Sequence, residues 1–383
     1  MNLTDREQYK KKFLDLLFDF LPNLKASHSI LEEKLHPNLF CPLRVNLPRW
    51  VLEKASLVIK ELFALRNQKT YQESLQQKAL DLNLYNPKHF GLCMSYDFHF
   101  HEETQRLKLI EVNTNASCFG LGHWFYPLFD CPFPFENYSP QDFVENVKTE
   151  FSLWENPSKK PLSVAIIDEN PPTQLMYSEF LYFQELLKKF SIPCTIRSLT
   201  EDCTQESFFY NRYTDFYLDS SQGQSLRHLY NSKNFLFSPS PWEYLLLADK
   251  NRLLEWPKYQ TKQTLFQEHL LESFFLTNET EDFLWANRKK FFFKPLQSFA
   301  SKGAYKGENI GKKAFASLLE IPAMAQEYCP PGTLFLEKEK TLKYDLRFFV
   351  YQERVQGIIA RVYEGQTTNL KSPYGGFACV QFF

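Results

Sequence analysis

The sequence predicts a mixed α/β (α+β) protein of two or three lobes, with helices at its N-terminus and a central β-α-β lobe. Three observations carry that expectation. At 383 residues the chain is too long for one small core. Residues 161–198 read strand, helix, strand ("PLSVAIIDEN", "SEFLYFQELLKKF", "PCTIRSL"), the texture of a parallel β-α-β unit. From 288 onward strand patterns dominate: "KKFFFKPL", "MAQEYC", "LRFFVYQ" and "RVQGIIARVY".

The elements follow in order. Residues 1–85 read mostly as helix, clearest over 50–80. The opening "MNLTDREQYKKKFLDLLFDFLPNL" is charged early and lacks a long apolar core, so it reads as an amphipathic helix and not a signal peptide. Residues 92–113 predict a β-hairpin, with "LCMSYDFHF" and "RLKLIEVN" alternating on either side of "HEETQ". Residues 114–160 are rich in Pro, Gly and aromatics and read as connection, with a helix near 141–152. Further short strands and a helix are expected over 213–238, and "LLLADKNRLLEW" starts a helix at 245. This divides the chain into a helical segment (1–85), a hairpin with its connection (86–160), an α/β lobe (161–240) and a strand-rich remainder (241–383).

Composition excludes several classes. A net charge of −1 gives no electrostatic case for nucleic acid or an anionic membrane surface. Eight scattered cysteines without a C-x-x-C pair suit reduced thiols in a cytoplasmic protein. No stretch is apolar enough to span a bilayer, and "FFF" at 291–293 stops at Lys294, as a buried strand does.

Candidate chemistry begins at "LIEVNTNASCFG", residues 109–120. Strand alternation puts Ile110 and Val112 on one face and Glu111 and Asn113 on the other. A carboxylate beside an amide oxygen suits Mg²⁺, which takes carboxylates together with substrate phosphates. A strand whose polar face runs into a loop explains the same residues. In "KKFFFKPLQSFASKGAYKGE" a buried strand ends at Lys294-Pro295, and a loop of small residues, 298–303, carries Lys302. Exposed amides beside an ammonium make a phosphate device, although this is not the Walker A pattern. The run 343–380 holds Asp345-x-Arg347, Arg361, Asn369 and Gly375-Gly376. Arginine forks match phosphate, and paired glycines allow close backbone approach to a ligand. A β-meander with surface arginines and a turn reads equally from that run.

In this order the lysines, the loop, "AQEYC", "DLRFFV", Arg361, Asn369 and Gly-Gly resemble the ATP-grasp superfamily, and 345–378 resembles the ligase that adds glutamate to a ribosomal protein. In the usual order that block is followed by a strand pair bearing Asp and then Glu-x-Asn. Here the sequence ends at Phe383, and the pair stands upstream as Asp97 and Glu111-x-Asn113, which implies a circular permutation. "EVNTNASCFG" is similar to a stretch of eukaryotic glutathione synthetase, itself permuted, and "LADKNRL" around Lys250 resembles the entry to the nucleotide site of these ligases. The combination "YDFH", "LIEVNTNA", "DLR", "QTTN" and "GGFA" also resembles a bacterial group of ATP-grasp proteins. The resemblance covers 90–122 and 241–380. The loop 298–303 has a single glycine where glutathione synthetase has a triplet, so glutathione is not the implied product.

The resemblance implies roles. Asp97, Glu111 and Asn113 would hold Mg²⁺, as two ions, between the β- and γ-phosphates of ATP. Two close carboxylates repel and call for a cation. Lys250 and Lys294 would contact the α- and β-phosphates, with Ser301, Lys302 and Gly303 in a mobile lid. Gln326, Glu327, Tyr328 and Cys329 would lie along the adenine edge through backbone groups. Arg361, Asn369 and Arg347 would stabilise the transferring phosphoryl group, or Arg347 would grip a substrate carboxylate. The expected activity is an ATP-dependent ligase joining a small-molecule or peptide carboxylate to an amine through an acylphosphate. A regulatory ATP-binding module with the same fold is the alternative.

Asp97, His99 and His101 share a strand face and, with Glu111 opposite, suggest a transition-metal site, though a strand histidine more often fills a polar layer. Cys118 has no base nearby in sequence and reads as a buried thiol. Asp168 and Glu169 end a strand and either meet the cleft, as ligands do at the carboxyl ends of α/β strands, or stay solvated.

Overall fold

The computed structural model describes residues 5–156, 160–259, 266–297, 303–336, 340–366, 368 and 374–383. Over these the chain is a mixed α/β protein with three sheets. The largest has seven strands: β1 (Phe40–Leu47), β2 (Met94–His101), β3 (Arg106–Asn113), β12 (Gly332–Phe335), β13 (Thr341–Tyr351), β14 (Arg354–Tyr363) and β15 (Gly376–Phe382). Its order is β1-β15-β14-β13-β2-β3, with β12 added along β13. A parallel sheet orders β4 (Val164–Asp168), β5 (Cys194–Ser198), β6 (Phe208–Asn211) and β7 (Leu236–Ser238) as β5-β4-β6-β7. A small antiparallel sheet orders β8 (Ser273–Phe275), β9 (Phe291–Pro295), β10 (Tyr305–Lys306) and β11 (Ala323–Glu327) as β10-β9-β11-β8.

The predicted hairpin is β2 and β3, and it lies in the same sheet as β13 and β14: β2 runs antiparallel to β13, with Asp97 opposite Arg347. β13 turns into β14 over two residues, with Gln352 at φ 54°, the left-handed step a tight hairpin needs. Both faces of this sheet are covered. Tyr96, Phe98, Leu346, Phe348 and Ile358 pack with Val51, Val58, Ile59 and Leu62 of the helix Arg49–Asn67. Phe349, Ile359 and Phe377 pack with Phe13 and Leu17 of the helix Arg6–Phe20 and with Phe180 and Phe183 of the helix Tyr177–Lys189. Helices on both sides explain why β13 is buried along almost its whole length.

The expected β-α-β unit is β4, the helix Tyr177–Lys189 and β5, with Val164–Asp168 in parallel register with Cys194–Ser198. The helix expected near 141–152 spans Asp142–Leu153. The helix expected from 245 is shifted: a π-helical turn, Tyr244–Ala248, breaks at Asp249 and resumes as the helix Asn251–Glu255.

Residues 1–85 are mostly helical, as expected, with β1 intervening as a parallel edge strand on β15. Its register shift between Phe40 and Arg44 spans Pro42, where a residue without an N–H is tolerated. Gly376 of the glycine pair closes on a neighbouring segment. Gly376 has φ 126°, and a Cβ there would lie 2.5 Å from the Asn38 carbonyl oxygen, so its close approach is to the chain's own backbone.

Candidate active site

A cavity of about 800 Å³ opens between the three sheets, within the size range of small-molecule sites. Its floor is a lattice of charges set by strand register. Glu111 on β3 stands opposite Asp97 on β2, which stands opposite Arg347 on β13, and two residues along β13, Asp345 stands opposite Arg361 on β14. Residues two apart share a strand face, so all five side chains meet the same space, and all line the cavity.

The two arginines and two aspartates are knitted together. Arg347 donates from Nε to Asp97 Oδ1 at 2.9 Å and from Nη2 to Oδ2 at 2.7 Å, and from Nη1 to Ser117 Oγ at 2.8 Å. Arg361 donates to Asp97 Oδ2 at 3.0 Å and to Asp345 Oδ1 at 2.5 Å. Thr368 donates to Asp345 Oδ2, and Asn113 donates its amide to Asp97 Oδ2 at 3.2 Å. Burial alone would raise the Asp97 carboxyl; Arg347 and Arg361 override it and hold the pKa at about 2. Asp97 therefore does not call for a cation as an unmet member of a close carboxylate pair would, because its charge is already met by two guanidinium groups.

Glu111 faces the lysines. Lys250 and Lys294 both line the cavity with Glu111. Burial depresses the Lys294 ammonium to about 8, with Glu111 pulling upward and Lys250 pushing down. Burial also lowers Lys250, against the pull of Glu111 and Asp249. Lys294 donates to the neutral Gln326 Oε1 at 2.9 Å. Two desolvated ammonium groups beside one carboxylate leave an excess of positive charge, which a polyanion offsets.

The strand alternation expected at 110–113 is altered by a bulge. Asp97 pairs with Glu111 but Phe98 pairs with Leu109, so Ile110 is the extra residue. It therefore lines the cavity with Glu111 and not on the far side.

Gln326, Glu327, Tyr328 and Cys329 line the wall beside Lys294, but their backbone is less open than expected. The N–H of Glu327 donates to the Glu272 carbonyl and that of Tyr328 to the Lys290 carbonyl, both at 2.7 Å. The Cys329 carbonyl accepts from His99 Nδ1 at 2.7 Å. Three backbone groups assigned to a base edge are thus already paired. Gly303 is at φ 71°; Ser301, Lys302 and Asn369 lie outside the described residues.

The transition-metal alternative is corrected. His99 is spent on Cys329, His101 bonds Thr104, and among the described residues no three His, Cys, Asp or Glu side chains are grouped to hold an ion. Cys118 is buried at φ 69°, its thiol pushed well above its ordinary pKa by burial. Its N–H and that of Gly120 donate to Glu179 at 3.0 and 2.9 Å, so the segment after β3 is a capped turn.

The parallel sheet does present its carboxyl edge to the cavity, but through residues the sequence reading passed over. Leu175 and Met176 follow β4, and Arg212, Thr214 and Phe216 follow β6; all line the cavity, whereas Asp168 and Glu169 do not. Arg212 is buried, donates to Asn115 Oδ1, the Ala116 carbonyl and Tyr210 Oη, and keeps a buried Nε with no partner. A charged residue directly after the buried run "FFYN" was the available signal.

No family model matches the chain, and no curated protein matches it. Among solved structures, a candidate γ-glutamylcysteine synthetase from Methylobacillus flagellatus KT aligns at a TM-score of 0.47 and 11% identity, covering 84% of this chain and 85% of its own. A glutathione synthetase-like effector from Globodera pallida, in its apo form, aligns at a TM-score of 0.54 and 12% identity, covering 88% of this chain and 89% of its own. Over most of its length, then, the chain shares the fold of a glutathione synthetase-like protein.

Proposed function

We propose that the protein is a circularly permuted ATP-grasp enzyme: an ATP-dependent ligase that joins a carboxylic acid to an amine through an acylphosphate and releases ADP and phosphate. The observation that carries this reading is the single cavity that collects Glu111, Lys250, Lys294, Arg347 and Arg361 from segments far apart in sequence. The shared fold with a glutathione synthetase-like protein supports it. On this reading the helical segment 1–85 buttresses the site, the hairpin in 86–160 brings the metal ligands, 161–240 brings the acid, 241–383 brings most of the nucleotide contacts, and the enzyme is cytoplasmic.

The donor set fits a magnesium nucleotide. Buried Lys250 and Lys294 suit phosphate oxygens, and Glu111 with Asn113 offers hard oxygen ligands at the same place. Mg²⁺ would be held by Glu111 and Asn113, with Asp97 beside them, and would supply neutralising charge there. Asn369, Ser301, Lys302 and Gly303 belong to the same proposal.

The chain's own residues then do the following. Lys250 and Lys294 hold the polyphosphate. Arg361 and Arg347 supply preorganised positive charge where the γ-phosphoryl group transfers. An acid oxygen bonds to the γ-phosphorus as the bond to the β-phosphate oxygen breaks, and ADP leaves. The amine nitrogen bonds to the acyl carbon, the acyl–oxygen bond breaks, phosphate departs, and the ammonium proton goes to solvent. Arg212, the cavity-lining arginine after β6, suits a carboxylate of the acid.

Hydroxylamine tests this reading. With Mg·ATP and pooled carboxylic acids, the acylphosphate is trapped as a hydroxamate in step with phosphate release. Binding of Mg·ATP with neither product, whatever the pool, supports the regulatory module instead.

A further inference from the structure

Lys250 sits at a break in the chain. The π-helical turn ends at Ala248, Asp249 is extended at ψ 122°, and the next helix starts at Asn251. The direction of the lysine is therefore set by what fixes Asp249. Its carboxylate is buried and takes four hydrogen bonds. Oδ1 accepts from the N–H of Asn251 at 2.9 Å and from its amide at 2.6 Å. Oδ2 accepts from Lys78 Nζ at 2.6 Å and from Tyr217 Oη at 2.5 Å.

The last two donors come from elements distant in sequence. Lys78 lies in the short helix Gln76–Asp81. Tyr217 ends the segment whose Phe216 stacks on Tyr244 at 4.5 Å, at the head of the π turn. Tyr217 itself packs edge-on against Tyr244. N-terminal helix, α/β lobe and nucleotide wall thus converge on one carboxylate next to the proposed phosphate lysine.

We infer that Asp249, clamped by Lys78 and Tyr217, is the positioning residue for Lys250: it aims the ammonium into the cavity and keeps a negative charge behind it. A buried carboxylate with four donors is rigid, and a charge one residue away stabilises an ammonium that burial disfavours. Asp249 does not line the cavity and touches no substrate; it acts through its neighbour. The inference rests on the nucleotide reading above.

The test is calorimetric titration of Mg·ATP into wild type, Asp249→Asn, Lys250→Met and the double variant, with thermal melting of each. Asp249→Asn is expected to weaken ATP roughly tenfold, as loss of a partner behind a binding group does. In the Lys250→Met background the same change is expected to cost nothing further. Tyr217→Phe, which removes one hydrogen bond and no charge, gives a smaller loss of the same kind and covers the case in which Asp249→Asn fails to fold. Wild-type binding with an unchanged Kd in the foldable variants overturns the inference, as does an equal loss with and without Lys250. No ATP binding by wild type overturns the nucleotide reading on which it stands.

Discussion

Asp97 and Glu111 face each other across one hairpin, yet their surroundings assign them different work. Asp97 is 1% exposed and bonded by two arginines, so removing it leaves two buried guanidinium groups short of charge. Asp97→Ala is expected to cost about 3–5 kcal/mol of stability, read by denaturant unfolding. Glu111 carries no such fold burden. Glu111→Gln is expected to leave the melting temperature close to wild type and to lower Mg·ATP-dependent turnover on the order of 10²-fold. Near-full turnover contradicts its proposed role as a Mg²⁺ ligand, and a collapse in melting temperature makes it structural. Lys294 adds a pH signature. With its folded pKa near 8 and an unfolded value of about 10.4, the unfolded chain binds more protons between those limits. Its contribution to stability therefore rises with pH across that window, and the penalty for its buried charge is fully present below pH 8. A bound polyphosphate restores the charge, so Mg·ATP binding at pH 8 is expected to take up protons in wild type and not in Lys294→Met. Calorimetry in buffers of different ionisation heat reads this directly, and equal heats in all buffers contradict it.

Among the elements, what alternates was legible and what depends on a partner was not. The hairpin 92–113 shows its two-residue period in sequence, and Glu111, Asn113 and Asp97 follow from it. The bulge that turns Ile110 into the cavity is a property of the pair of strands, invisible in either alone. β1 was hidden because "FCPLRVNL" carries a proline among helical neighbours, and its reason to be extended is β15, more than 300 residues on. Lys294 is legible as a lysine at a strand end and Lys250 by resemblance, whereas Arg212, marked in sequence only by a charge after a buried run, gains its place once parallel packing brings the ends of β4 and β6 to one edge. The backbone pairing of Glu327 and Tyr328 was likewise out of reach, since both partners lie on other segments. β15 makes its own prediction. Gly376→Ala forces a side chain onto a φ of 126° and against the Asn38 carbonyl. A loss of about 1–3 kcal/mol from backbone strain is expected, before any cost of the clash. An unchanged melting temperature contradicts the close packing of β15 on the turn before β1.

For the whole molecule, the three sheets matter because they converge: the large sheet supplies acids and arginines, the small sheet Lys294, the parallel sheet Arg212, and the break after the π turn Lys250. No helix among the described residues is long and apolar enough to cross a membrane. On the proposed reading the positive charge meets the terminal phosphates of a nucleotide, so the account's central claim concerns which bond breaks. The decisive measurement is chromatographic resolution of the nucleotide products when the protein is incubated with Mg·ATP and pooled acids and amines. The account predicts ADP and phosphate, stimulated by a pool that contains the true acid, with no AMP. Appearance of AMP and pyrophosphate contradicts it.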